Sequence, residues 1–487
     1  MTTTEFDRGA IADRPPRINA LTTIRLGLYQ IAIGMMAVLT LAVINRVLIS
    51  ELGVPGTIAA TLVAIPQLLA SPGKIWFGQL SDAKPLFGLH RSGYVWFGAA
   101  AYGTLIFIAI QIVWQLGGAI RSVDGARAAG EWAWTMPIAG WTAVLALIFG
   151  VYGLAVNASS VPFATLLVDV TEPDERSRVV SVAWSFLMVG IVVAGIGGSK
   201  FLDRIQSATD GSVTSIEALQ GPINGLFAIV PLIALGLAFA GTLGIEPKYS
   251  RYRLRSRLSE GDDLTLGRAL KVLTSSRQTG FFFTFLIAMT VGLFMQEAVL
   301  EPYGGDVFGM TIAQTTQLNS FWGIGILVGL SAAGFAIAPN LGKRLMTRLG
   351  CGLVAACFII VIAAGFTRSQ PVLQGAVLLF GFSAGIATNG AIGLMLDLTA
   401  AETAGTFIGA WGLAQALARG AATICGGMLL DLGNALFSAP VLAYGLVFAA
   451  QAGFMVFAIA LLGRVDATEF QESTRNAFVA AMESELD

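Results

Sequence analysis

The feature of this chain that most constrains its fold is a succession of long apolar runs, separated by short polar stretches. A helix needs roughly 17–25 mostly apolar residues to cross a bilayer. About twelve runs reach or approach this length, which predicts an all-α membrane protein. In the first half they lie at approximately 22–48, 54–72, 92–116, 137–165, 178–201 and 222–244, and in the second half at 278–300, 314–338, 350–367, 371–396, 405–431 and 439–463.

The amount of charge agrees with a lipid environment. Only 12% of the 487 residues are charged and 55% are hydrophobic, whereas soluble domains carry about 25% charged residues. The 58 glycines suit membrane helices, in which small residues let backbones approach. The formal net charge of −1 gives no attraction to nucleic acid, so we expect no nucleic-acid partner.

The distribution of Lys and Arg predicts an orientation in which both termini are cytoplasmic. The polar first residues read as a short cytoplasmic tail rather than a cleaved signal peptide. If the N-terminus is inside, the inner segments hold most of the basic residues. The outer loops hold only Arg46, Arg121, Arg127, Lys200, Arg204 and Arg368.

A two-half organisation follows from an internal repeat. The chain reads LLVDVTEPDERSRVVSVAW after the fourth run and LMLDLTAAETAGTFIGAWG after the tenth, so Asp169 corresponds to Asp397 and Thr171 to Thr399. The middle loop is either a solvated linker or a segment lying on anionic lipid. The expected organisation is an N-terminal tail at 1–21, a six-helix bundle at 22–244, a cytoplasmic middle loop at 245–277, a second six-helix bundle at 278–463 and a cytoplasmic C-terminal tail at 464–487.

The loop after the second run reads GQLSDAKPLFGLHR and contains candidate gating residues. A glycine, an aspartate four residues later and then basic residues make this loop similar to the signature of the major facilitator superfamily. The resemblance implies that Gly78 permits close helix contact and that Asp82 locks one conformation against a basic side chain, with Lys84 and Arg91 as the basic residues. The alternative is a polar turn whose charges only set topology.

A second charged group follows the fourth run, where superfamily members often place an acid and an arginine. Asp169 and Arg176 are therefore candidates for a cytoplasmic charge latch with the middle loop. Ordinary solvated helix ends are the alternative, since exposed ion pairs contribute little stability.

The segment FMQEAVLEPYGGDVFGM, residues 294–310, which we call the signature segment, is the best candidate for a functional site. Glu297 and Glu301 are four residues apart, so in one helix they would share a face. Pro302 is expected to end that helix, and Gly304-Gly305 to form a turn. Acids near lipid are costly and tend to line cavities, but on this pattern alone the two carboxylates could equally face outside water.

The signature segment resembles that of the PucC/LhaA family, the (bacterio)chlorophyll-delivery branch of the major facilitator superfamily. That family carries an acid-x-x-x-Glu-Pro-Tyr-Gly-Gly stretch, with Asp expected where this chain has Glu297. RLGLYQIAIGMMAVLTLAVINRVLISELGVP and IPQLLASPGKIWFGQLSD are also similar to the family. The resemblance covers most of residues 20–465 and implies a major-facilitator-type fold.

The function that the resemblance implies is the handling of chlorophyll or bacteriochlorophyll for assembly of light-harvesting or photosystem complexes, in a photosynthetic or plasma membrane of a bacterium. The pigment would be a transient cargo, with no permanent cofactor and no metal site. Implied partners are membrane lipid, the pigment, antenna or photosystem polypeptides and pigment-synthesis enzymes. The candidate pigment-binding residues are Gln296, Glu297, Glu301, Tyr303 and Arg419.

Two other functions stay open at this stage. One is a proton-coupled transporter of a small solute, in which Glu297 and Glu301 carry protons. The other is a scaffold that binds antenna polypeptides and moves nothing. We expect no enzyme, because the sequence contains no nucleotide-binding glycine loop, nucleophile elbow or metal-ligand cluster.

Overall fold

A computed structural model describes residues 16–123, 132, 134–208, 216–251, 277–398 and 404–465. Secondary structure in these residues is almost entirely helical. Eleven helices are long and apolar enough to cross a membrane, and a shorter apolar helix, Gly56–Leu68, lies where the second span is expected. The prediction of an all-α membrane fold with about twelve spans is confirmed.

The twelve spans are numbered here in chain order. Spans 1 to 6 are Ala20–Glu51, Gly56–Leu68 with Ala70–Ala83, Ser92–Arg121, Met136–Val170, Pro173–Ala208 and Ile216–Thr242, followed by a short helix Ile245–Tyr249. Spans 7 to 12 are Arg277–Phe294 with the 3₁₀ turn Met295–Ala298, Ile312–Ala332 with the π-helical turn Ala333–Ile337 and the helix Ala338–Leu341, Lys343–Thr367, Gln370–Leu398, Ala404–Leu436 and Pro440–Arg464. A separate helix, Leu300–Phe308, joins spans 7 and 8.

Span 2 is divided rather than continuous. Its first helix ends at Leu68 and the second begins at Ala70, so that Pro66 lies inside the first helix and Pro72 in the first turn of the second. Because a proline has no N–H to donate to the carbonyl four residues before it, Pro72 cannot bond to Leu68, which favours the end of one helix and the start of another at this point. The span ends at Ala83, beyond the apolar run that ends at residue 72 and beyond Gly78, toward which the short run was expected to extend.

Buried apolar side chains form two large clusters. One is built almost entirely from spans 1 to 6 and the other almost entirely from spans 7 to 12. Each half therefore buries its own core, and the surface between the halves is a separate seam. Spans reverse direction in succession, so residues 17 and 464 share one face of the bundle. We call this the termini face and the opposite one the far face.

The seam consists of span 2 packed on span 11 and span 5 packed on span 8. Glycines allow these helices to touch. A Cβ on Gly427 of span 11 would meet the Gly56 carbonyl oxygen of span 2 at 2.2 Å, and one on Gly195 would meet the Ser320 hydroxyl at 2.1 Å. Gly56 and Gly427 lie near the far face, so the halves are closed against each other there.

Candidate functional site

The backbone of the signature segment differs from the expectation. Span 7 leaves the α-helix at Phe294 and continues as a 3₁₀ turn to Ala298, and a new helix begins at Leu300. Pro302 does not end a helix, because it lies in the first turn of the new one, where its missing N–H costs nothing. Gly304 and Gly305 are helical, and the turn comes instead at Gly309, which has φ of 65°.

Glu297 forms an ion pair with Arg419 of span 11 in the same half. The Arg419 Nε donates to Glu297 Oε2 at 3.0 Å, and its Nη2 donates to Oε1. The Glu297 side chain is 8% exposed and that of Arg419 is 35% exposed. From span 2 of the other half, the Gln67 amide approaches Glu297 Oε2 at 3.4 Å. The guanidinium also lies over the Phe294 ring, 4.5 Å from its centroid.

Glu301 does not share the surroundings of Glu297. The break at Val299 places the two acids on different helical segments, so the expectation of one common helix face is wrong. Glu301 is 3% exposed, and its Oε1 accepts a hydrogen bond from the Asn319 amide at 2.9 Å. Its Oε2 is buried without a hydrogen-bond partner among the described residues.

The other predicted pigment contacts within the segment are occupied by the protein itself. Tyr303 is fully buried, and its hydroxyl donates to the Val361 carbonyl at 2.8 Å. In this conformation Tyr303 is a core residue, and its contact with a ligand stays a prediction. Gln296 is 4% exposed and lies 3.4 Å from the Gln451 amide. Of the five predicted pigment contacts, Arg419 is therefore the one whose side chain has substantial exposed surface.

Polar side chains that the sequence reasoning did not assign to the site join the halves beside this segment. The Asn45 amide donates to the Ala298 carbonyl at 2.7 Å, and Arg46 pairs with Asp306 at 3.3 Å. Near the same face, Asp431 accepts backbone N–H groups of the first turn of span 2 at 2.7 and 2.8 Å. In the sequence, these residues are recognisable only as polar residues at the ends of apolar runs. That position indicates burial, but it does not show which residue of the other half each side chain contacts.

The predicted gating residues form a cluster at the termini face. Buried Arg91 donates to Asp169 at 2.9 Å and pairs with Asp82 at 2.5 Å. The carboxylate of Glu246 accepts the backbone N–H groups of His90, Arg91 and Ser92 at the start of span 3. These contacts join elements of the first half.

The remaining gating predictions have mixed outcomes. A Cβ on Gly78 would meet only Val161, at 3.8 Å, so the expectation of close helix contact there is wrong; Gly73, against Asn157 at 2.7 Å, has that role. Lys84 is exposed, and its carbonyl accepts the Tyr94 hydroxyl. The side chain of Arg176, and those of the repeat partners Asp397 and Thr399, lie outside the described residues.

An apolar groove of about 290 Å³ lies apart from both clusters, between spans 3 and 6. Its walls include Ala99, Gly103, Phe107, Phe227, Pro231 and Leu235. Separately, the described residues contain no group of three or more His, Cys, Asp or Glu side chains suited to holding a metal ion.

Comparison with solved structures supports the architecture. The chain resembles the nucleoside transporter NupG, with a TM-score of 0.65 at 10% identity over 91% of this chain and 99% of that one. It also resembles the xylose transporter XylE of E. coli, with a TM-score of 0.61 at 15% identity over 91% and 96%. These likenesses confirm the major-facilitator-type fold.

Comparison with curated proteins gives closer similarity. The chain is 31% identical over 448 residues to the "Bacteriochlorophyll synthase 44.5 kDa chain" of Rhodobacter capsulatus, covering 90% of this chain and 94% of the relative. It is 27% identical over 439 residues to "Protein PucC" of Cereibacter sphaeroides, covering 89% of each. The family model described as "PUCC protein" matches residues 43–470, and the chain belongs to this family.

Proposed function

We propose that this protein handles chlorophyll or bacteriochlorophyll during assembly of light-harvesting or photosystem complexes. The observation that carries the proposal is the alignment over 90% of the chain with a relative named for bacteriochlorophyll synthesis, within a family associated with photosynthesis. The word "synthase" is part of the name of that relative and is not a function proposed for this chain. For this chain, the family and the transporter fold favour a membrane protein that performs no covalent chemistry.

The proposed contact for the pigment is the pair formed by Glu297 and Arg419. Arg419 is the accessible member, and the Glu297 carboxylate fixes its guanidinium. Such a group donates hydrogen bonds to carbonyl oxygens, which decorate the polar edge of a chlorin ring. The Phe294 ring beneath the guanidinium adds an apolar surface against which a flat macrocycle can pack.

We further propose that the pigment enters from the bilayer rather than through a polar pore. Its isoprenoid tail would cost about 0.8 kcal/mol per CH₂ group exposed to water. A lateral opening between helices keeps the tail in lipid while the ring edge reaches Arg419. Antenna or photosystem polypeptides and pigment-synthesis enzymes would then be neighbours in the same membrane.

The first test is the pigment content of the gently purified protein. Co-purified chlorophyll or bacteriochlorophyll, lost in Arg419→Ala at equal expression, supports the proposal. Antenna polypeptides that co-purify without pigment would instead favour a scaffold.

The second test replaces both acids of the segment. Glu297→Gln with Glu301→Gln keeps side-chain size and removes charge. We expect antenna or photosystem complexes to fail to accumulate while the protein remains in the membrane. Glu175→Gln, an acid at the start of span 5 on the opposite face of the bundle, is the control for loss of a carboxylate. Normal complex assembly in the double variant at normal expression would exclude this site.

A proton-coupled transporter of a small solute is the second candidate function. The observation that favours it is the fold shared with solute transporters. Uptake of a soluble solute by vesicles containing the purified protein, driven by a pH gradient and independent of pigment, would support it over pigment handling.

A further inference from the structure

The two acids of the signature segment differ in how their charge is balanced. The Glu297 carboxylate faces the guanidinium of Arg419 and the amide of Gln67. The Glu301 carboxylate receives one hydrogen bond, from the Asn319 amide, and its second oxygen is buried without a partner among the described residues. A buried carboxylate with a single donor is strongly disfavoured relative to the neutral acid.

The charged groups around Glu301 are engaged elsewhere. On span 1, Arg46 pairs with Glu51 and Asp306. On span 12, the Tyr444 hydroxyl donates to Asp306 at 2.5 Å. Span 8 contributes the neutral Asn319. No cation therefore forms an ion pair with Glu301 among the residues described here.

Glu301 lies between spans 7 and 8, and its surroundings raise the pKa of its carboxyl. Burial raises the pKa of its carboxyl to about 7. The hydrogen bond from Asn319 opposes that rise, the negative charge of Glu297 adds to it, and the positive charge of Arg46 again opposes it.

Residues on both sides of Glu301 contact span 1 of the other half. The Ala298 carbonyl before it accepts from Asn45, and Asp306 after it pairs with Arg46. A Cβ on Gly305, one turn beyond Glu301, would meet the Arg46 guanidinium at 2.0 Å, so span 1 rests directly on this helix. Separation of the halves at the far face would withdraw span 1 and expose Glu301 to water.

We propose that Glu301 is a proton-binding site and that its protonation stabilises closure of the two halves at the far face. On opening, the carboxyl O–H bond breaks and the proton passes to water. On closure, the carboxylate takes a proton back. Glu297 differs, because its carboxylate faces the Arg419 guanidinium, whereas Glu301 has no such cation among the described residues. This coupling goes beyond pigment handling and does not depend on it.

The sign of the pH effect follows from linkage. The pKa of Glu301 is about 7 in the closed form and returns toward the ordinary value of 4.5 when the group is hydrated. The closed form therefore binds more protons, and acid favours closure. The ratio of closed to open molecules falls by up to about tenfold per pH unit as pH rises toward 7, and levels off above it.

The test measures the distance between the halves at the far face without any pigment present. Ser122 and Thr367, both exposed, are changed to cysteine for spin labels in a variant whose native Cys351, Cys357 and Cys425 are replaced by alanine. Distances are recorded in lipid nanodiscs from about pH 5 to about pH 9. We expect the closed distance to dominate in acid and a longer one to gain population toward neutral pH.

Glu301→Gln mimics the protonated acid, so we expect the closed distance at every pH. Glu175→Gln, at the start of span 5 on the termini face, removes a carboxylate that accepts the Glu172 backbone N–H; it is the control and should keep the response of the parent. Asn319→Leu removes the donor to the carboxylate, so the midpoint should move to higher pH; this variant gives a second test if Glu301→Gln fails to accumulate. Distances that ignore pH, or a pH response that survives in Glu301→Gln, would overturn the proposal. Because no pigment is used, neither outcome bears on pigment handling.

Discussion

Arg91 shows how a single buried cation organises the termini face. Its side chain is 3% exposed and reaches the buried Asp169, the half-exposed Asp82 and the Ser81 hydroxyl. Truncating one partner of a buried charge pair is costly because the other charge stays in a medium of low dielectric constant. The two acids should therefore contribute unequally, although both touch the same guanidinium.

Asp169→Asn should destabilise the protein far more than Asp82→Asn. Breaking a buried ion pair costs about 3–5 kcal/mol, whereas an exposed pair contributes about 0–1 kcal/mol; Asp82 is 55% exposed and Asp169 4%. The measurement is the thermal unfolding midpoint of each variant in detergent, with Lys84→Gln as a control for lost surface charge. Equal midpoints for the two aspartate variants would contradict this reasoning.

At the residue scale, the sequence predicted which side chains matter better than it predicted their partners. Asp82, Arg91 and Asp169 were all singled out as gating candidates, and Arg419 was singled out as a candidate pigment contact. The pairing of Arg419 with Glu297 spans 122 positions, and no local pattern encodes such a contact. Asn319, the donor to Glu301, lies within an apolar run and was not considered.

At the element scale, two pairs of glycines bring the backbones of spans 8 and 10 into contact. Gly325 and Gly329 face span 10, and Gly381 and Gly385 face span 8. A Cβ on Gly381 would meet the Trp322 carbonyl oxygen at 2.2 Å, so backbone lies against backbone. The abundance of glycine indicated close helix packing, but it could not show that these two pairs meet each other. The helices break at Leu69 and at Val299, and the apolar pattern of the sequence did not predict either break.

Gly381→Val should disrupt this contact, because the obstructing atoms belong to backbone and cannot rotate away. Overpacking a close contact costs about 1–3 kcal/mol, occasionally more. Gly375→Val lies on the same span with open space at its Cβ position and should be tolerated. The readout is the monodisperse fraction that survives a heating series on size-exclusion chromatography. Equal monodisperse fractions for the two variants after heating would show that the contact between spans 8 and 10 does not determine the stability of the protein.

At the scale of the whole molecule, the chain has two cores and a seam closed at the far face. The two-half arrangement was anticipated from the internal repeat, whereas the state of closure was not, because it depends on contacts between distant spans. The described contacts that close the far face include Asn45 with Ala298, Arg46 with Asp306, and Asp431 with the start of span 2.

The orientation of this fold in the membrane is predicted from the Lys/Arg bias alone. We expect both tails and the middle loop on the cytoplasmic side. Reporter fusions at residue 487 and within 252–276 should be active as cytoplasmic reporters, and a fusion in the loop near residue 126 should not. This orientation places the far face on the outer side of the membrane. The opposite pattern of reporter activity would place it on the cytoplasmic side.

Asp431 offers the most direct way to shift the closure of the halves. Its carboxylate, on span 11, accepts the N–H groups of Gly56 and Thr57, so one half supplies the N-terminal cap for a helix of the other. Loss of such a cap costs about 0.5–2 kcal/mol, and here the loss falls on the closed form alone, because opening separates the two spans.

Asp431→Ala should therefore raise the ratio of open to closed molecules by about fivefold, which corresponds to about 1 kcal/mol. Spin labels on Ser122→Cys and Thr367→Cys at a fixed acidic pH would report the change. Asn434→Ala, an exposed position on the same helix, should leave the distances unchanged. The cap acts at a site distinct from Glu301, so Asp431→Ala combined with Glu301→Gln should show additive effects of opposite sign. An unchanged closed population in Asp431→Ala would mean that the other bridging contacts are sufficient to hold the far face shut.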